Sequence, residues 1–144
     1  MSKMSNNIKL EDDHFCFACG SLNNSGLKLN FILDEKNQTI STEFTPKKIH
    51  QGYKDIVHGG LIGLIMDECM VNLAWKLGMP AVSAEYNVRL YRPAMIGKTL
   101  KFTAKITSHS HRILIISAEC LDKNTRQRIA TSSAKCVRLE YLTY

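Results

Sequence analysis

What the chain lacks narrows its identity first. A membrane span needs about 20 mostly apolar residues, and the most apolar stretch, Leu61 to Leu77, is interrupted by Asp67, Glu68, Asn72 and Lys76. No internal repeat, low-complexity run or dividing linker is present. The cysteines number five, and an odd count argues against a complete disulfide framework. The first nine residues, MSKMSNNIK, carry no apolar core of the kind export needs, so cytoplasmic residence is expected. Basic residues are spread out, densest at Lys47-Lys48, Arg89/Arg92 and Arg126/Arg128, without the tight aromatic-interleaved stripe of nucleic-acid binders. Neither nucleic acid nor membrane is an expected partner.

What is there fits one folded domain. Of the 144 residues, 44% are hydrophobic and 22% charged. A chain of this length buries about two-thirds of its unfolded surface, enough for a core without disulfide staples. Disorder as the dominant state is excluded, because disordered chains lack that burial capacity. Residues 1–13 are polar and read as a frayed leader, and 14–144 as a single domain. The net charge of +6, from 19 basic and 13 acidic residues, favours an anionic partner such as a phosphorylated small molecule.

Residues 14–26, HFCFACGSLNNSG, are rich in turn formers and predict a loop with an aromatic anchor. Leu27, Leu29, Phe31 and Leu33 alternate with polar residues and predict a half-buried strand. A turn at 34–37 and the Ile40, Thr42, Phe44 alternation complete a hairpin. Pro46 to Val57 is a polar loop. One helix follows His58-Gly59-Gly60, apolar nearly all round and therefore expected to be buried. Gly78-Met79-Pro80 stops it. Residues 81–92, 99–107, 112–121 and 127–139 read as strands, with Val82, Ala84, Tyr86, Val88 and Leu90 on one face of the first. Their short connections predict antiparallel neighbours. An all-round apolar helix and a curved antiparallel sheet satisfy each other if the sheet wraps the helix, an α+β arrangement.

His58-Gly59-Gly60 followed by Asp67-Glu68 is the segment richest in chemistry. Glycines are poor helix formers but let another group approach the backbone closely. N–H groups at a helix start lack intrahelical partners and carry partial positive charge. That combination suits a developing oxyanion, and equally a tight loop-to-helix turn with no ligand. Asp67 and Glu68 lie mid-helix among apolar residues. An isolated buried carboxylate costs several kcal/mol and suggests a partner, water access or a function. Adjacent residues point about 100° apart on a helix, so the two acids occupy different environments. Gly59 and Asp67 are about 12 Å apart along one helix, too far for one reacting carbonyl. Two helices running antiparallel across a two-fold axis would bring Gly59 of one opposite Asp67 of the other, which predicts a site shared within a homodimer.

The runs HGGLIGLIMDE and AVSAEYNVRLYRPAMIG, with CFACGSLNNSGLKL upstream, resemble hotdog-fold acyl-CoA thioesterases of the phenylacetate-degradation type. The resemblance spans residues 14–139. It implies a hotdog fold and hydrolysis of an acyl-CoA, or an acyl-carrier-protein ester, in a homodimer or a dimer of dimers. It implies that the Gly59 N–H binds the thioester carbonyl and that His58 shapes the turn. Asp67 would act as general base or nucleophile, and Ser83 would help orient the attacking water. Gly60, Gln51, Glu68, Asn87 and Arg92 would contact substrate, Arg92 at a phosphate. Read without the family, Ser83 is an ordinary strand hydroxyl and Arg89 and Arg92 are solvated charges. Some family members carry an amide six residues before the histidine, where this chain has Gly52 behind His50-Gln51. Rival expectations are a non-catalytic acyl-CoA-binding module and a hotdog dehydratase or hydratase, against which the order of His58 before the acids counts. No cofactor or metal is expected: Cys16-x-x-Cys19 has no second pair, although His14 adds a further ligand type, and a packed loop is the simpler reading.

Overall fold

Period-two segments need ladder partners, and an apolar helix needs cover. The computed structural model, which describes residues 9–142, answers both with six strands and one α-helix. In chain order these are β1 (Ile32–Asp34), β2 (Thr39–Phe44), α1 (Gly59–Lys76), β3 (Ala81–Leu90), β4 (Leu100–His109), β5 (Ile113–Asp122) and β6 (Arg128–Arg138). Short 3-10 turns lie at Lys48–His50 and Leu139–Tyr141. Of the expected leader, residues 1–8 lie outside the described residues, and residues 9–13 are exposed. Among the described residues no helix is long and apolar enough to cross a membrane.

The strands form one antiparallel sheet in the order β1-β2-β4-β5-β6-β3. Helix α1 touches β2, β3, β4, β5 and β6, so the sheet curves around it. At the centre, alternate residues of β5 are buried, Leu114, Ile116 and Cys120 completely. They share one core with Ile65, Met66, Met70 and Leu73 of α1, each at most 1% exposed. Full burial of each such aliphatic side chain contributes about 1.5–3 kcal/mol. The helix ends where Leu77 donates to the Leu73 carbonyl and Gly78 takes a φ of +77°, a left-handed turn that favours glycine.

The sequence pattern and the fold part company at three places. Residues 27–31 join no strand of the sheet. Leu27 and Leu29 instead donate backbone hydrogen bonds to Phe17 and Ala18 of the N-terminal loop, and Lys28 sits at φ +50°, which breaks a straight ladder. Strand β3 does not neighbour β4. It crosses to the far edge and pairs with β6, because residues 91–99 are tied to the loop before the helix through Val57 N–H to Ala94 (2.8 Å) and Gly97 N–H to Pro46 (2.8 Å). A bulge between Ser83 and Glu85 shifts the alternation of β3, and Ala84, Tyr86 and Leu90 are exposed although Tyr86 and Leu90 face α1 beside Gly63 and Gly59. Helix α1 is likewise not buried all round. Leu61, Leu64 and Val71 are only partly covered and Trp75 is 42% exposed, since the sheet of one chain reaches one side only.

Candidate active site

The loop before α1 is a folded platform. Gly52 N–H donates to the Ile56 carbonyl (2.8 Å), and His58 N–H to the His50 carbonyl (3.0 Å). The Gln51 side-chain oxygen accepts from Asp55 N–H (3.1 Å), so Gln51 braces this loop. His58 is the N-cap of the helix: its Nδ1 accepts the Gly60 N–H at 2.9 Å, and its carbonyl accepts Leu61 N–H at 3.0 Å. The Gly60 donor is thereby engaged. The Gly59 N–H, first in the helix, has no intrahelical acceptor and lies at the positive end of the helix dipole.

Glycine at 59 is a matter of space. A Cβ there would come within 2.8 Å of Leu90 Cδ1 on β3. A cleft of about 340 Å³ opens beside it, lined by Tyr53, Gly59, Leu90, Tyr91 and Arg92. The mouth is cationic. Arg92 donates to the Arg128 carbonyl (3.1 Å), while the guanidinium groups of Arg89 and Arg128 lie 5.1 and 5.8 Å from the Tyr91 ring centre. A hydrogen bond with Thr131, aided by those two arginines, pulls the Tyr91 phenol below its ordinary pKa. Such a rim can receive a polyanion.

Asp67 sits two turns further along. It is half-buried, and its Oδ1 is enclosed with no hydrogen-bond partner. Burial raises its pKa above the ordinary 3.8 and the neighbouring Glu68 adds to the rise, while the Ser83 hydroxyl works in the opposite direction. Ser83 is placed there by the β3 bulge, a device that re-aims side chains beside sites. A carboxylate poised in this way can take a proton from water.

The fold separates the other expected site residues. Gly59 and Arg92 share one cleft, and Asp67 and Ser83 form a second cluster. Both Gly59 and Asp67 belong to α1, so about 12 Å of helix lies between them and one chain does not bring them together. The Asn87 carbonyl accepts from Ser132 (2.7 Å) on the exposed part of β3. Glu68 turns away from the glycine cleft and accepts from Cys16 Sγ (3.7 Å) and Asn72 Nδ2 (2.9 Å). Sequence reasoning did not single out Tyr53, Leu90 or Tyr91 for the cleft. An aromatic residue in a polar loop was the available signal for Tyr53, which is 87% exposed. For Leu90 the sequence offered none: its alternation reads as core, whereas the structure sets it 52% exposed beside Gly59.

Comparison with known proteins bears on the family and the fold. The thioesterase superfamily profile matches residues 54–129. The chain is 28% identical over 95 residues to mouse (Mus musculus) acyl-coenzyme A thioesterase 13, covering 65% of this chain and 68% of the relative. It thus spans about two thirds of the length of the curated relatives it matches. Among solved structures, the E. coli PaaI protein from the phenylacetic acid degradation operon superimposes with a TM-score of 0.72 at 20% identity, over 78% of this chain and 80% of that one. A Streptococcus mutans protein bound to acetyl-CoA gives 0.71 at 14% identity, over 76% of this chain and 87% of the other. The chain belongs to the thioesterase superfamily, a class of thioester hydrolases. Its single antiparallel sheet curved around one long helix is the hotdog fold of that class.

Proposed function

We propose that this protein is an acyl-CoA thioesterase whose reaction centre is shared by two copies of the chain. The observation that carries the reading is the Asp67 carboxylate, with one oxygen enclosed and unpartnered, on the same helix whose first N–H is unspent. In an antiparallel pair of helices, Asp67 of one subunit faces Gly59 of the other. Asp67 takes a proton from water as the water oxygen attacks the thioester carbonyl. The oxyanion of the tetrahedral intermediate accepts the Gly59 N–H of the partner subunit, a contact worth about 2.7–4 kcal/mol in comparable sites. The C–S bond then breaks, the thiolate leaves, and the proton held by Asp67 passes to it, giving free acid and CoA. Ser83 holds the carboxylate and water in line. Arg92 and its neighbours at the cleft mouth suit the CoA phosphates, and the acetyl-CoA held by the S. mutans relative supports that class of substrate.

Thiol release from a panel of acyl-CoA esters tests the reading, with Asp67→Asn as the variant. The expected result is turnover by the wild type and a loss of at least ~10²-fold in kcat in the variant, the size of a general-base contribution, with CoA-ester binding retained. Tight binding without turnover by the wild type would instead make this a binding module. Enoyl products would make it a dehydratase.

A further inference from the structure

Glu68 turns away from the glycine cleft, and what it faces is unusual. The loop Cys16-Phe17-Ala18-Cys19-Gly20 packs on the outward side of α1 and turns sharply. Gly20 N–H donates to the Cys16 carbonyl at 2.8 Å. The turn is so tight that a Cβ on Gly20 would lie 2.4 Å from the Cys16 nitrogen, which only glycine avoids. The result is that Cys16 Sγ, Cys19 Sγ and a Glu68 carboxylate oxygen all lie within 4.8 Å of one another. Both thiols are free.

We propose that Cys16, Cys19 and Glu68 form a zinc site that fastens the N-terminal loop to the catalytic helix. Tetrahedral zinc with Zn–S of about 2.3 Å and Zn–O of about 2.0–2.2 Å needs donors roughly 3.5–4 Å apart, so atoms within 4.8 Å of one another need to close by at most about 1.3 Å. Two thiolates and a carboxylate are a donor set that suits this ion. The carboxylate is held for the role: Asn72 Nδ2 donates to Glu68 Oε1 at 2.9 Å, the outer-shell contact that orients metal ligands. Cys16, Cys19 and Glu68 all line a cleft of about 400 Å³, from which water would supply the fourth ligand. On binding, two S–H protons are released to solvent as two Zn–S bonds form, with no change of oxidation state.

A redox pair leaves the third group unexplained: a disulfide between Cys16 and Cys19 gives the Glu68 carboxylate no part, whereas a divalent cation takes both thiolates and the carboxylate as ligands. His14, the other ligand type near in sequence, is not part of the set: its Nδ1 faces Asp12 at 3.7 Å.

The test is cobalt(II) titration of the reduced, metal-free full-length protein, read by thiolate-to-cobalt charge transfer, followed by displacement with zinc(II). The expected result is one cobalt per chain, displaced by one zinc, with two thiols becoming protected from alkylation. Asn72→Ala weakens binding about ten- to a hundredfold. Cys16→Ser, Cys19→Ser and Glu68→Gln weaken it more, and His14→Ala leaves it unchanged. Should the cysteine variants fail to fold, alkylation protection in the wild type still decides the matter. Absence of charge transfer in the folded, reduced wild type overturns the proposal. So does unaltered binding in Glu68→Gln.

Discussion

The two sides of α1 obey different rules. Toward the sheet, Ile65, Met66, Met70 and Leu73 are sealed in an apolar core. Away from it, Asp67, Glu68, Val71 and Asn72 are only half-covered and Trp75 is exposed. The helix therefore cannot be understood as a core element decorated with two stray acids. One side holds the fold together, and the other keeps one carboxylate in a poorly solvated position that folding of a single chain does not satisfy. That carboxylate is Asp67, whose unpartnered buried oxygen is retained at a cost in stability.

Substitutions on the two sides should therefore separate activity from stability. The largest effect falls on the outward side. Asp67→Asn is expected to lower kcat by about 10²–10⁴-fold. The same change replaces a poorly solvated charge by a neutral group, so its unfolding midpoint in denaturant is expected to equal or exceed that of the wild type. A clear loss of stability would show that the carboxylate holds the structure rather than the reaction. On the sheet side, Leu73→Ala should cost about 2–5 kcal/mol in equilibrium unfolding, while kcat per folded molecule stays within about twofold. A comparable collapse of kcat in this variant would erase the distinction between the sides.

A mixing experiment sharpens the comparison by asking what covers the outward side. Gly59→Val collides with Leu90, and Asp67→Asn lacks the base, so each alone should be inactive. If the two residues act across a two-fold axis, one hybrid site is intact. Subunit exchange of equal amounts should then restore about a quarter of wild-type activity. No recovery after verified exchange would place both residues in the site of one chain. The smallest effect concerns the loop that feeds the helix. His50 Nδ1 accepts the Lys47 N–H at 2.9 Å, and burial and the Lys47 charge hold the His50 pKa below 6.5. A depressed folded-state pKa gives stability that is present above 6.5 and lost as pH falls through the lower folded value. Unfolding measured across that interval should show a shallower acid loss in His50→Asn than in the wild type.

Local patterns carried much of this into view from the sequence alone. The helix from Gly59, its stop at Gly78, the four later strands and the acid at 67 all follow from periodicity, glycine placement and the cost of burying charge. What escaped was long-range. Nothing near Leu29 announces that it pairs with Ala18 rather than with a strand. The move of β3 to the sheet edge depends on hydrogen bonds between the loop before the helix and residues 94–97. The bulge at Ser83 reverses an alternation that looked regular. The cysteine pair lacked a second pair in the sequence, and its third neighbour, Glu68, is supplied by a helix 49 positions beyond Cys19.

Trp75 is the chain's one tryptophan, and its position makes it informative. Its indole N–H donates to the Ala81 carbonyl at 2.8 Å, clamping the last helical turn to the start of β3. The ring also borders the cleft that contains Cys16, Cys19 and Glu68. Fluorescence excited in the indole band therefore comes from a single address, with no second indole to dilute it. Ordering of that cleft, or its covering by another subunit, would register as a change in emission without any attached dye.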